Sequence, residues 1–167
     1  MTRPRLLVLL AVLLTCSTVI AGGSWDRYVR RPIAQVVEAN LEAFESSGVD
    51  LYFSASDFAT RSTAVYLGEI RAMSDSRLDF VDRYWGKMRG RPDVAALFQN
   101  EILCQEGDNE YWLPMQQSVL EYLKREATTG SNIELFVIWA GVINLEEQAD
   151  WVFLANEFVV LKASDAG

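Results

Sequence analysis

The sequence predicts an α+β fold, and three observations carry that prediction. Apolar residues recur at helical spacing through much of 32–98, whereas 132–142 and 151–161 are rich in Val, Ile, Phe and Trp and read as strands. Between them, Gly107-Asp108-Asn109 separates two short β-like runs. The expected architecture is a set of N-terminal amphipathic helices followed by a β-β-α-β-β unit, forming a small, mostly antiparallel sheet or partial barrel. An OB-like or other small barrel is compatible with that strand count.

Pro32 stands where a helix favours its first residue, and Ile33, Val36, Val37, Leu41 and Phe44 then follow at helical spacing until Ser46-Ser47-Gly48. Ser54 and Asp57 form a capping-box pattern, so a second helix is expected over 56–73 with Phe58, Val65, Tyr66, Leu67 and Ile70 as its apolar positions. Ser74-Asp75-Ser76 offers new caps, and Leu78, Val81, Trp85 and Met88 define the stripe of a third helix ending near Gly90. A last helical turn is expected over 94–98. Next come β runs at 101–106 and 110–115, the second limited by Pro114, and a short helix over 116–127 with Val119, Leu120 and Leu123 on one side. The polar stretch 144–150 reads as a loop between the last two strands.

The first 21 residues, MTRPRLLVLLAVLLTCSTVIA, have the form of an export signal: Arg3 and Arg5 precede an apolar core, and Val19-Ile20-Ala21 supplies a cleavage site. The expected organisation is a signal over 1–21 and one α+β domain over 22–167, helical over about 32–98 and β-containing over about 99–161. Its expected location is the periplasm or the medium, with no stable membrane span after cleavage. Two alternatives are a lipid anchor on Cys16 and a tether through an uncleaved N-terminal helix. The tether is disfavoured because the apolar stretch carries Thr15, Cys16, Ser17 and Thr18, short of the roughly 20 apolar residues a spanning helix needs.

The chain has net charge −8, and losing Arg3 and Arg5 takes it to −10, which repels nucleic acid at long range. There is no histidine, which excludes Ser-His-Asp and Cys-His nucleophiles and imidazole metal sites. Without Cys16 the only thiol is Cys104, next to Ile102 and Leu103, so burial rather than a disulfide is expected. No P-loop, GxGxxG, GxSxG or SxxK occurs, and neither a metal nor a cofactor is expected.

Strict alternation along 151–161 places Glu157 in a row with Trp151, Phe153, Ala155 and Val159, making it the one weak catalytic candidate. A buried carboxylate of raised pKa could act as a general acid if a second faced it, and Glu101, Glu106, Glu110 and Glu134 are candidate partners. The bland reading pairs Glu157 with Arg61, Arg71 or Arg83, or leaves it in solvent. Tyr111, Trp112 and Asn156 are the candidate binding residues, two rings on opposite sides of one strand and an amide; Gln116 and Gln117 could line the same surface. Core packing and backbone satisfaction are the competing roles.

The runs Tyr111-Trp112-Leu113-Pro114-Met115-Gln116, Phe136-Val137-Ile138-Trp139-Ala140-Gly141 and Phe153-Leu154-Ala155-Asn156-Glu157-Phe158 resemble a family of exported bacterial proteins to which no activity is assigned. The resemblance spans about 98–161 and implies export and a compact β-containing end, with no catalytic residue carried over. The expectation is an exported envelope protein that binds another protein or an envelope component without catalysis. The alternative is a carboxylate-based hydrolase acting on envelope polysaccharide.

Overall fold

A computed structural model describes residues 25–145 and 148–162; the expected signal over 1–21 lies outside them. Strands β2 (Leu51–Ala72), β3 (Phe98–Glu106), β4 (Asn109–Gln116), β5 (Asn132–Leu145) and β6 (Gln148–Val160) close into a five-stranded barrel. The order around the ring is β2-β3-β4-β6-β5, returning to β2. All of these pairings are antiparallel except β4 with β6, which meet in parallel at Met115 and Ala155. With helix α4 (Gln117–Glu126) between the third and fourth barrel strands, this is the connectivity of an OB-type Greek-key barrel. A two-residue strand, β1 (Val29–Arg30), adds in parallel to β2.

The expected helix over 56–73 is instead part of β2, the longest element among the described residues. Its first part pairs with β5, from Leu51 opposite Ile143 to Val65 opposite Asn132, and its end pairs with β3 as far as Ala72 opposite Asn100. The change of partner falls at Val65, which also stands opposite Gln105, and Gly68 lies in the register shift of the β2–β3 pairing that follows, with φ +85°; a Cβ there would stand 1.9 Å from Thr129 Oγ1. Helical spacing misled because the buried residues of β2 include Thr60 and Ser62. The Thr60 hydroxyl lies 3.1 Å from the Val29 and Arg31 carbonyls and the Ser62 hydroxyl donates to Glu106, so the strand lacks an apolar period of two.

The helical part expected over 32–98 is therefore interrupted. It consists of α1 (Ile33–Ser47), α2 (Asp75–Asp82) with a following π-helical turn (Arg83–Met88), and α3 (Pro92–Ala95). Helix α1 follows Pro32 and ends at Gly48, but Pro32 offers its first turn no side-chain cap. Glu106 at the end of β3 supplies it across the fold, accepting the Ile33 and Ala34 N–H groups at 2.9 and 3.0 Å. The loop expected over 144–150 shrinks as well, because Asn144 pairs with Ala149 and Leu145 with Gln148.

Three apolar layers result. The main core fills the barrel, with Trp139 stacked against Tyr52 at 6.1 Å and Trp151 at 5.7 Å, and it takes Val36 and Phe44 from α1 and Leu120 and Leu123 from α4. A second layer sets Phe80, Val81 and Tyr84 of the α2–α3 insertion on Ala140, Ile143, Val152 and Leu154 of the outer wall. The third sets Tyr28 on Ala59, Phe136 and Ile138. The inner and outer rows of β5 exchange register at Ala140, where Gly141, with φ +146°, approaches Tyr52 O too closely for any side chain. The outer wall of β5 is thus covered from two sides, by the N-terminal segment and by the helical insertion.

Candidate functional site

Between those two coverings a cleft of about 460 Å³ remains open. Trp25 and Tyr28 line it from the N-terminal segment, Trp85 of the π-helical turn from the insertion, and Ile138 and Asn156 from the barrel wall, with Gln116 at the end of β4. Its volume is in the range of small-molecule sites. Asn156 reaches the cleft through a β-bulge: Phe136 pairs with Glu157 and Val137 with Ala155, which leaves Asn156 as the extra residue. Bulges of this kind redirect one side chain out of the strand's alternation.

The cleft's polar groups form a chain. Gln116 Nε2 donates to Asn156 Oδ1 at 2.9 Å, and Asn156 Nδ2 donates to Tyr28 Oη at 3.0 Å. Arg27 Nη2 lies 3.4 Å from the same phenolic oxygen, with its guanidinium 5.2 Å from the Tyr28 ring centre. The buried Trp85 Nε1 has no hydrogen-bond partner among the described residues. Trp25 packs on Tyr28 at 5.6 Å and Phe136 at 5.0 Å and remains 42% exposed.

The same bulge corrects the reading of Glu157. Past Asn156 the alternation inverts, so Phe158 and Val160 join the main core and Glu157 leaves the apolar row in which strict alternation had placed it. Its Oε1 accepts the Phe158 N–H at 3.0 Å. None of the three arginines proposed for it is its partner: Arg61 pairs with Glu134, Arg71 with Glu101 and Arg83 with Asp79. Glu106 caps α1, and Glu110 is exposed at the start of β4. Glu157 lines a groove of about 670 Å³ between α4 and β6, where Glu126 is the other carboxylate among the described residues.

The binding candidates separate. Tyr111 packs edge-on against Phe153 at 6.4 Å beside the main core, and burial, with the nearby Glu106 charge, raises its pKa. Trp112 faces the other way, as adjacent strand residues must, with the Arg71 guanidinium 3.7 Å from its ring centre. It lines a separate cavity of about 340 Å³ with Arg71, Ser74, Arg77 and Asp150. Only Asn156 reaches the outer-wall cleft, together with Gln116, while Gln117 is exposed on α4.

Three cleft residues carried no usable signal: Trp25 and Tyr28 sit in a short polar lead, and Trp85 read as one position of a helical stripe. Their convergence depends on long-range topology. Among the described residues no group of three or more Cys, Asp or Glu side chains gathers to hold a metal, and no helix is long and apolar enough to cross a membrane. Comparisons with protein-family models, with curated proteins and with solved structures find no match for this chain.

Proposed function

We propose that this chain is an exported bacterial envelope protein that works as a non-enzymatic binding module, with the outer-wall cleft as its binding site. The observation that carries this reading is the cleft itself, an open aromatic and amide-lined space to which a bulge directs Asn156 and beside which the buried Trp85 N–H has no partner among the described residues. A buried donor without a partner is costly, and native structures retain such groups where something else satisfies them. The export half of the reading is supported by the signal-like 1–21 stretch and by the resemblance to exported proteins. Two measurements test it. N-terminal sequencing of the processed protein should give a start at Gly22, and the immobilised protein should retain material from an envelope fraction that Asn156→Ala does not; an unprocessed cytoplasmic protein, or equal retention by both forms, ends the proposal.

A second reading, a carboxylate-based hydrolase of envelope polysaccharide, is favoured by one observation: Glu126 and Glu157 line the same groove. Hydrolysis of cell-wall glycan by the purified protein, abolished in Glu157→Gln, would establish it. Absence of turnover removes it.

A further inference from the structure

We infer that the outer-wall cleft receives a neutral saccharide ring, an inference that rests on the binding-module reading. The walls supply the first requirement, since Trp25 and Trp85 present indole rings from two different elements and the C–H face of a pyranose packs on such surfaces. The second requirement is mixed hydrogen bonding. Tyr28 Oη already receives the Asn156 and Arg27 donors, so its own hydrogen is left for an acceptor, and the buried Trp85 Nε1 has no partner among the described residues. Gln116 donates to Asn156 through Nε2 and keeps Oε1 as an acceptor. A hydroxyl group donates and accepts at once, and a ring bearing several meets both kinds of group.

Charge and backbone geometry narrow the choice further. Among the described residues no carboxylate lines the cleft, so none of them selects a cation. The chain's charge of −8 opposes a polyanion, and Arg27, the single charged residue of the lining among the described residues, already lies against Tyr28. An apolar ligand would leave the Tyr28 hydroxyl hydrogen and Gln116 Oε1 without partners. An extended peptide gains affinity by adding to a free sheet edge. Here the floor strand β5 is paired on both sides around Ile138, with Ala59 of β2 and Leu154 of β6, so that edge does not exist.

The experiment is a titration of the purified protein, followed by tryptophan fluorescence, with neutral oligomers of N-acetylglucosamine and of glucose and with an extended neutral peptide of similar length. Saturable binding of at least one oligosaccharide is expected. Asn156→Ala should weaken it about tenfold, and Trp85→Phe, which keeps a ring and removes the N–H, by a similar factor. Lys124→Ala on the exposed face of α4 should leave it unchanged, and circular dichroism should show each variant folded. Saccharide binding that survives both cleft substitutions overturns the inference, as does binding of the peptide alone. If no oligosaccharide binds up to about 10 mM while retention of envelope material persists and depends on Asn156, the saccharide assignment falls and the binding-module reading stands. Loss of both ends both.

Discussion

Two polar networks lie on opposite fates within one small barrel. Around Arg77, Nε donates to Asp150 Oδ2 at 2.9 Å, Nη1 to Glu101 Oε2 at 2.5 Å and to the Trp112 carbonyl at 2.7 Å, and Nη2 to Asp150 Oδ1. Glu101 is fully buried, and its other oxygen takes Arg71 Nε at 2.5 Å. Burial acts to lower the Arg77 pKa, but the hydrogen bonds and charge of Asp150, then of Glu101, outweigh it and raise the value. In the cleft, the Gln116-Asn156-Tyr28 chain leaves a phenolic hydrogen, an amide oxygen and a neighbouring buried indole N–H without partners among the described residues. The difference teaches where to look for function: a buried network whose carboxylates are each matched by an arginine fixes the fold, and a network that leaves polar groups unmatched beside an open cleft is free to meet something else.

Removing a member of the closed network should therefore have the largest effect. Arg77→Met leaves the buried Glu101 carboxylate with Arg71 alone, and a broken buried pair costs about 3–5 kcal/mol. Urea denaturation should show that loss, and Arg77→Met combined with Glu101→Leu should recover most of it, because no uncompensated charge then remains. A double variant as unstable as the single would mean that Arg77 stabilises the fold through something other than Glu101.

Cys104 sharpens the same contrast from within the sealed core, where burial pushes its thiol pKa from 9.0 up to about 12. Between those values the unfolded chain has lost the proton and the folded chain keeps it, so stability present below pH 9.0 falls as pH rises toward about 12. The slope from this group is at most about 1.4 kcal/mol per pH unit. Cys104→Ala should start less stable because of its cavity and yet decline less steeply over that range. Native protein should also resist thiol reagents that label it fully in urea. An equal alkaline slope in both proteins would remove the claim.

Glu106 stands between the two networks in effect. It caps α1 from a distant strand, so Glu106→Ala exposes the first-turn N–H groups and should cost about 1–2 kcal/mol. Hydrogen exchange should quicken at Ile33 and Ala34 before it changes in β5, and uniform quickening would argue against a local cap.

What the sequence allowed to be read follows the same physical divide. Helices α1 and α4, the β3–β4 hairpin and the apolar strands β5 and β6 announce themselves through local period, turn residues and β-branched content. The helix and strand classes are the expected ones, and the expected sheet or partial barrel closes into a full one. The strand β2 escaped because Thr60 and Ser62 occupy buried positions whose hydroxyls are satisfied by groups remote in sequence. Glu157 was misplaced because a bulge inserts a residue without any local mark. Asn156 and Gln116 were visible as polar residues beside apolar runs, but Trp25, Tyr28 and Trp85 reach them only through the barrel's closure and its two additions.

The smallest expected effect on stability belongs to the cleft, and there the comparison is most open to failure. Asn156→Ala removes two hydrogen bonds, to Gln116 and Tyr28, in a partly exposed site where water can replace them, so it should cost less than about 1 kcal/mol. The Arg77 substitution, by contrast, should lower stability several-fold more while leaving the cleft geometry in place wherever the protein stays folded. Measured together, urea denaturation and ligand titration should rank the two variants in opposite orders. If Asn156→Ala destabilises as strongly as Arg77→Met, the amide is a structural brace for the bulge, and the open chain of donors loses its claim to be a binding surface.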